Sequence, residues 1–250
     1  MRTRLLLAGI PLAGIPLVFL TGEIVYAIGR RLPSFGDLDA SGSFGDPASP
    51  PLRVVALGES SVTGSGLDDP EPIWVRRVTR HLAEHHHVEL ISLARGGARA
   101  ATVLAHQLPE ALRLQPDLVL LSVGANDALR GAPLRKLERQ LDLLVGKLVE
   151  AGAAVALLGI GDLGTIPRLP APLNSAARLR ARWVDALEQR VADRHPRVAK
   201  AEAWRASTTH AFRTRSELFA PDLFHASAEG HAEWAAIAIP AVEAALAATR

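Results

Sequence analysis

The sequence predicts an α/β domain built on a parallel sheet. Two observations carry that prediction. Short apolar runs alternate with longer stretches of helical periodicity, and the 250-residue chain is 48% hydrophobic and 22% charged, a globular composition long enough for one domain plus an extension. The strand candidates are 53–57 (RVVAL), 88–92 (VELIS), 118–122 (LVLLS), 154–159 (AVALLG) and 197–201 (RVAKA). Helical patterns fall between and after them at 71–85, 99–113, 133–150, 174–194 and 227–248. Strands separated by helices form parallel sheets covered on both faces, and such sheets bind ligands at the carboxyl ends of their strands.

Ahead of this pattern the chain changes character twice. Residues 5–20 (LLLAGIPLAGIPLVFL) are uncharged and apolar and follow Arg2 and Arg4. The apolar stretch runs past Glu23 to Gly29, about 25 residues, enough to span a bilayer of roughly 30 Å. No small-residue cleavage site is evident at its end. Residues 1–31 are therefore expected to be a signal-anchor helix that tethers an extracytoplasmic domain to the membrane, with a secreted form as the alternative. Residues 32–52 are rich in Gly, Ser, Pro and Asp without periodicity and read as a linker. The folded domain is expected over 53–250.

Composition excludes several functions. The absence of cysteine removes disulfides, thiol catalysis and thiolate metal sites. Aromatics make up 4% and the formal net charge is +2, so neither a base-stacking surface nor a basic footprint for nucleic acid is present. The run His85-His86-His87 reads as a solvated turn, since adjacent side chains diverge.

Chemistry-bearing residues collect where the strands end. The first strand leads into GESSVTGSG (58–66), where Ser60 stands as a candidate nucleophile or as a helix cap. Val62 occupies the last glycine position of a G-x-S-x-G elbow, so that motif is absent. The second leads into Gly96-Gly97, which suits either a tight turn or a backbone amide brought close to a ligand. The third leads into Gly124-Ala125-Asn126-Asp127, where Asn126 can donate to an oxyanion and Asp127 is expected to cap the next helix. Near the C-terminus, Asp222 and His225 stand three apart, so the carboxylate can hold the imidazole's Nδ1 and leave Nε2 free. Ser65 is a rival nucleophile farther from the strand end. Asp162 reads as part of a loop turn, and His231 is expected in the final helix, facing core or solvent.

The set, in this order, resembles the SGNH (GDSL-type) hydrolases. Gly58, Glu59 and Ser60 match the family's G-D-S triplet with Glu in the Asp position. Gly97, or alternatively Gly96, matches the second block, Gly124, Asn126 and Asp127 the G-x-N-D of the third, and Asp222 and His225 the terminal D-x-x-H, with Ala226 where Pro is usual. The resemblance implies a three-layer α/β/α, flavodoxin-like fold on a five-stranded parallel sheet. It also implies a serine esterase acting on a small-molecule or lipid ester without a cofactor. Ser60 would be the nucleophile and Asp222/His225 its base system, with Ser60, Gly97 and Asn126 forming the oxyanion hole. The Asp that Glu59 replaces is a structural hydrogen-bonding partner in the family, so Glu59 has no proton-transfer role. An acyltransferase on cell-envelope glycans would use the same residues, and a membrane-tethered binding module could share the fold.

Overall fold

The computed structural model describes residues 33–248. Its sheet has six strands: β1 (Gly42–Phe44), β2 (Pro51–Gly58), β3 (His87–Ser92), β4 (Leu118–Ser122), β5 (Ala154–Leu157) and β6 (Val198–Lys200), in the order β1-β3-β2-β4-β5-β6. The five strands expected from the sequence are all present and all parallel, and their order is the flavodoxin-like one. The helices are α1 (Ser60–Thr63), α2 (Trp74–Leu82), α3 (Ala100–Thr102), α4 (Leu108–Leu114), α5 (Ala125–Leu129), α6 (Leu134–Glu150), α7 (Leu173–Asp193), α8 (Ala206–Thr214) and α9 (Ala228–Ala247). A π-helical turn, Val103–Gln107, joins α3 to α4.

Alternation along each strand sorts its side chains into two cores. Val54, Ala56, Leu118, Leu120, Ala154 and Ala156 face the layer made by α2 and α9. Val55, Leu57, Val119, Leu121, Val155 and Leu157 face α3, α4, α6 and α7. Because both faces are covered, these strands are apolar at every position rather than every second one.

Two expectations need correction. The sheet carries a sixth strand, β1, antiparallel to β3 at the edge. It lies inside the stretch read as a linker, so the folded body begins before Arg53. Three residues, Gly-Ser-Phe, leave no apolar run to detect, and the strand is held mainly by groups elsewhere. Arg76 donates to the carbonyls of Ala40 and Ser41 at 3.1 and 2.8 Å, its guanidinium lies over the Phe44 ring, and Ser41 Oγ accepts the Ser92 N–H at 3.0 Å. Ala40 is fully buried.

The expected membrane anchor, residues 1–31, lies outside the described residues. Among the described residues no helix is long and apolar enough to cross a membrane.

Candidate active site

β2 and β4 are neighbours, but the chain leaves them toward opposite sides of the sheet, and a crevice opens at their carboxyl ends. Gly58 closes β2 with φ 144°, and a Cβ there would lie 2.0 Å from the Ser122 carbonyl oxygen, so only glycine fits. The π-helical turn carries Gln107 inward, where its amide accepts the Gly58 N–H at 2.8 Å and donates to the Gly58 carbonyl at 2.9 Å. The hydroxyls of Ser61 and Ser122 meet at 2.8 Å. The backbone is thus pinned on both sides of Ser60. Ser60 opens α1, so its N–H has no intrahelical acceptor and is free to serve a ligand.

Glu59 is buried and accepts three N–H groups: Ala125 N at 3.0 Å, Asn126 N at 3.2 Å and Asn126 Nδ2 at 2.7 Å. The residue preceding α5 is Gly124, which has no side chain to cap the helix, and the Glu59 carboxylate from a neighbouring strand end does so instead. One hydrogen of the Asn126 amide is committed to Glu59, which leaves the other for the crevice. Burial pushes the Glu59 carboxyl up to about 7 against the pull of those donors. Asp127 does not cap α5 as expected. Its carboxylate accepts the Ala100 N–H at 2.9 Å and so ties α5 to the start of α3.

In the loop before α9, His225 Nδ1 lies 2.5 Å from Asp222 Oδ2, and Asp222 Oδ1 accepts the N–H groups of Phe224 and His225 at 2.9 and 3.0 Å. Burial works against the Asp222 charge, yet His225 and the two N–H donors outweigh it and hold the carboxyl below its usual range. The carboxylate is nearly enclosed and the imidazole a quarter exposed, so the pair presents its histidine end to the outside. The loop is closed by the Ala220 N–H donating to the His225 carbonyl and by a bridge between Phe219 and Ala226.

Ser60, Asn126 and His225 wall one cleft of about 1040 Å³, its open mouth included. Ile160, Ile166, Phe212, Phe219, Trp234 and Ile237 make much of the rest apolar. Gly97 is not part of that wall. It lies exposed on the neighbouring loop after β3, at φ 71°. Ser65 is buried with its hydroxyl 3.2 Å from that of Thr63. Asp162 caps a 3₁₀ turn through the Gly164 N–H and pairs with Arg178, which fits the loop role expected of it. His231 faces the core: its Nδ1 accepts the Trp74 N–H at 3.2 Å, and burial pushes it down to about 3, so it is neutral.

Sequence reasoning missed three residues that shape this region: Gln107, Phe212 and Glu188. Glu188 is fully buried on α7, accepts the Ile160 N–H at 3.1 Å, and is pushed up to about 8 by burial. It shares the helical phase of Val184 and Val191, and a carboxylate on that apolar stripe was the available signal.

Residues 56–233 match the GDSL-like lipase/acylhydrolase family. The chain is 33% identical over 109 residues to the esterase TesA of Pseudomonas aeruginosa, covering 43% of this chain and 53% of the relative. It is 32% identical over 110 residues to an arylesterase of Vibrio mimicus, covering 43% and 54%. The chain thus spans about half the length of the curated relatives it matches. Among solved structures, a crystal structure of TesA superposes with a TM-score of 0.63 at 22% identity, over 77% of this chain and 99% of that one, a likeness of fold. The three strand-end motifs, the Asp222/His225 loop before α9 and the matched span together identify the chain as a member of the GDSL-like lipase/acylhydrolase family.

Proposed function

We propose that this protein is a serine esterase. Ser60 attacks the ester carbonyl while His225 Nε2 takes its proton, and Asp222 stabilises the imidazolium. The observation that carries the reading is the 2.5 Å Asp222–His225 hydrogen bond in a cleft that Ser60 also walls. That bond fixes the imidazole tautomer so that Nε2 is the basic nitrogen.

The oxyanion of the tetrahedral intermediate is held by the Ser60 N–H and the free hydrogen of the Asn126 amide at the cleft wall, with the Gly97 N–H, outside that wall on the exposed loop after β3, as the third donor. Collapse expels the alcohol, which receives its proton from His225. Water activated by the same histidine then attacks the acyl-enzyme and releases the acid. The apolar walls around Phe212, Phe219 and Trp234 favour an alkyl or aryl group on the substrate, in keeping with relatives named arylesterase and esterase.

Hydrolysis of p-nitrophenyl esters from acetate to decanoate, by the wild type and by Ser60→Ala, tests the reading. The wild type should turn over, and the variant should lose at least about 10³-fold in kcat with its folded spectrum retained. Equal turnover by the two proteins would remove Ser60 from the mechanism.

A further inference from the structure

The stretch ahead of β1 reaches the two loops that carry Ser60 and Gly97. Asp37 Oδ1 accepts the Thr63 hydroxyl at 2.8 Å, Asp37 Oδ2 accepts the Gly96 N–H at 2.9 Å, and the Leu38 N–H donates to the Thr63 carbonyl at 2.9 Å. Thr63 is the last residue of α1, the turn that Ser60 opens, and Gly96 immediately precedes Gly97. A single side chain therefore bridges the loop after β2 to the loop after β3. The fit is close, since a Cβ on Gly96 would lie 2.4 Å from Asp37 Oδ1.

Asp37 is itself held in place. Three residues on, Ala40 is buried and its carbonyl accepts Arg76, and β1 then pairs with β3. The loop it grips has few other restraints. Its backbone ties are the Leu93 N–H to the Ala56 carbonyl at 2.9 Å where it leaves β3, the Arg95 N–H to the Gly58 carbonyl at 3.2 Å and the Ala98 N–H to the Arg95 carbonyl at 3.2 Å, and Gly97 is exposed. An oxyanion donor is effective only when it is already aimed at the place where charge develops. A peptide preceding Gly97 that is free to rotate would lose much of that advantage.

We propose that Asp37 is a positioning residue for the oxyanion hole, fixing the Arg95–Gly96 peptide, the unit next to the one that carries the Gly97 N–H, against the Ser60 turn from a segment that precedes the family-matched residues. This rests on the reading of Ser60 as nucleophile and Gly97 as donor. Its chemistry depends on geometry rather than charge. An asparagine at 37 can still accept the Gly96 N–H through Oδ1 and donate through Nδ2 to the Thr63 hydroxyl, whereas alanine can do neither.

The test uses the full-length chain with Asp37→Ala and Asp37→Asn, read by kcat and KM on a p-nitrophenyl ester, by inhibition with an alkylboronic acid that mimics the tetrahedral oxyanion, and by melting temperature. Asp37→Ala should lose about tenfold in kcat with KM within about twofold, and the boronate should weaken in proportion. Asp37→Asn should keep kcat within about threefold of wild type. A purely structural role would lower the melting temperature of Asp37→Ala and leave kcat and boronate affinity of the folded enzyme unchanged; that result overturns the proposal. Equal losses in the Ala and Asn variants also overturn it. Absence of Ser60-dependent turnover in the wild type would instead count against the esterase reading.

Discussion

At the scale of single residues, Glu59 shows how a departure from a family pattern is absorbed. The longer side chain at the Asp position reaches the first turn of α5 and satisfies two backbone N–H groups and the Asn126 amide together. Glu59→Gln keeps one acceptor oxygen but turns an NH₂ toward the Asn126 NH₂, donor against donor. We expect kcat to fall about tenfold with little change in KM, measured on any turned-over ester. Asp222→Asn keeps the size of the side chain while removing the charge that stabilises the imidazolium, and should cost roughly 10³–10⁴ in kcat. Ser60, Asn126, Asp222 and His225 could be singled out from the sequence as candidates because each is a polar residue at a strand end or loop with a definite chemical use. Asp127 was misread because its helix-capping habit is served in another helix, across a loop contact that sequence spacing does not encode. Gln107 left no signal, since only the π-helical turn aims its amide at Gly58.

At the scale of elements, the five parallel strands and five long helical stretches were legible from hydrophobic periodicity. The elements that escaped are short or held by distant partners. β1 has three residues, and α1 and α5 have four and five, too few to display a period. The consequence for β1 is measurable. Removing the residues before 51 would strip the edge pairing from β3, uncover the core beneath Ala40 and leave Arg76 without its carbonyl partners. A chain starting at 51 should be less stable than one starting at 33 by about 2–4 kcal/mol in urea unfolding. Equal midpoints and slopes would mean that this segment is the linker its composition suggests.

At the scale of the whole molecule, the buried titratable groups set the response to pH. Glu59 and Glu188 are raised from 4.5 to about 7 and about 8, so the folded state keeps protons that the unfolded chain gives up. Their stabilising contribution is complete below about pH 4.5 and is lost as pH rises through those folded values. His231, lowered from 6.5 to about 3, acts with the opposite sign: it stays neutral while the unfolded chain protonates, so its contribution is lost as pH falls below 6.5. Two groups outweigh one above pH 5, and the melting temperature should fall from about pH 5 to pH 8. Glu188→Gln should flatten that fall by up to about 1.4 kcal/mol per pH unit; an unchanged slope would mean that Glu188 is ionised throughout. Whether the parts gathered at the β2–β4 crevice make Ser60 a nucleophile is read out by intact-protein and peptide mass spectrometry after reaction with an alkyl fluorophosphonate. One adduct per chain is expected, on Ser60, abolished in Ser60→Ala and strongly slowed in Asp222→Asn. An unlabelled protein, or a label on Ser65 or any other serine, would contradict it.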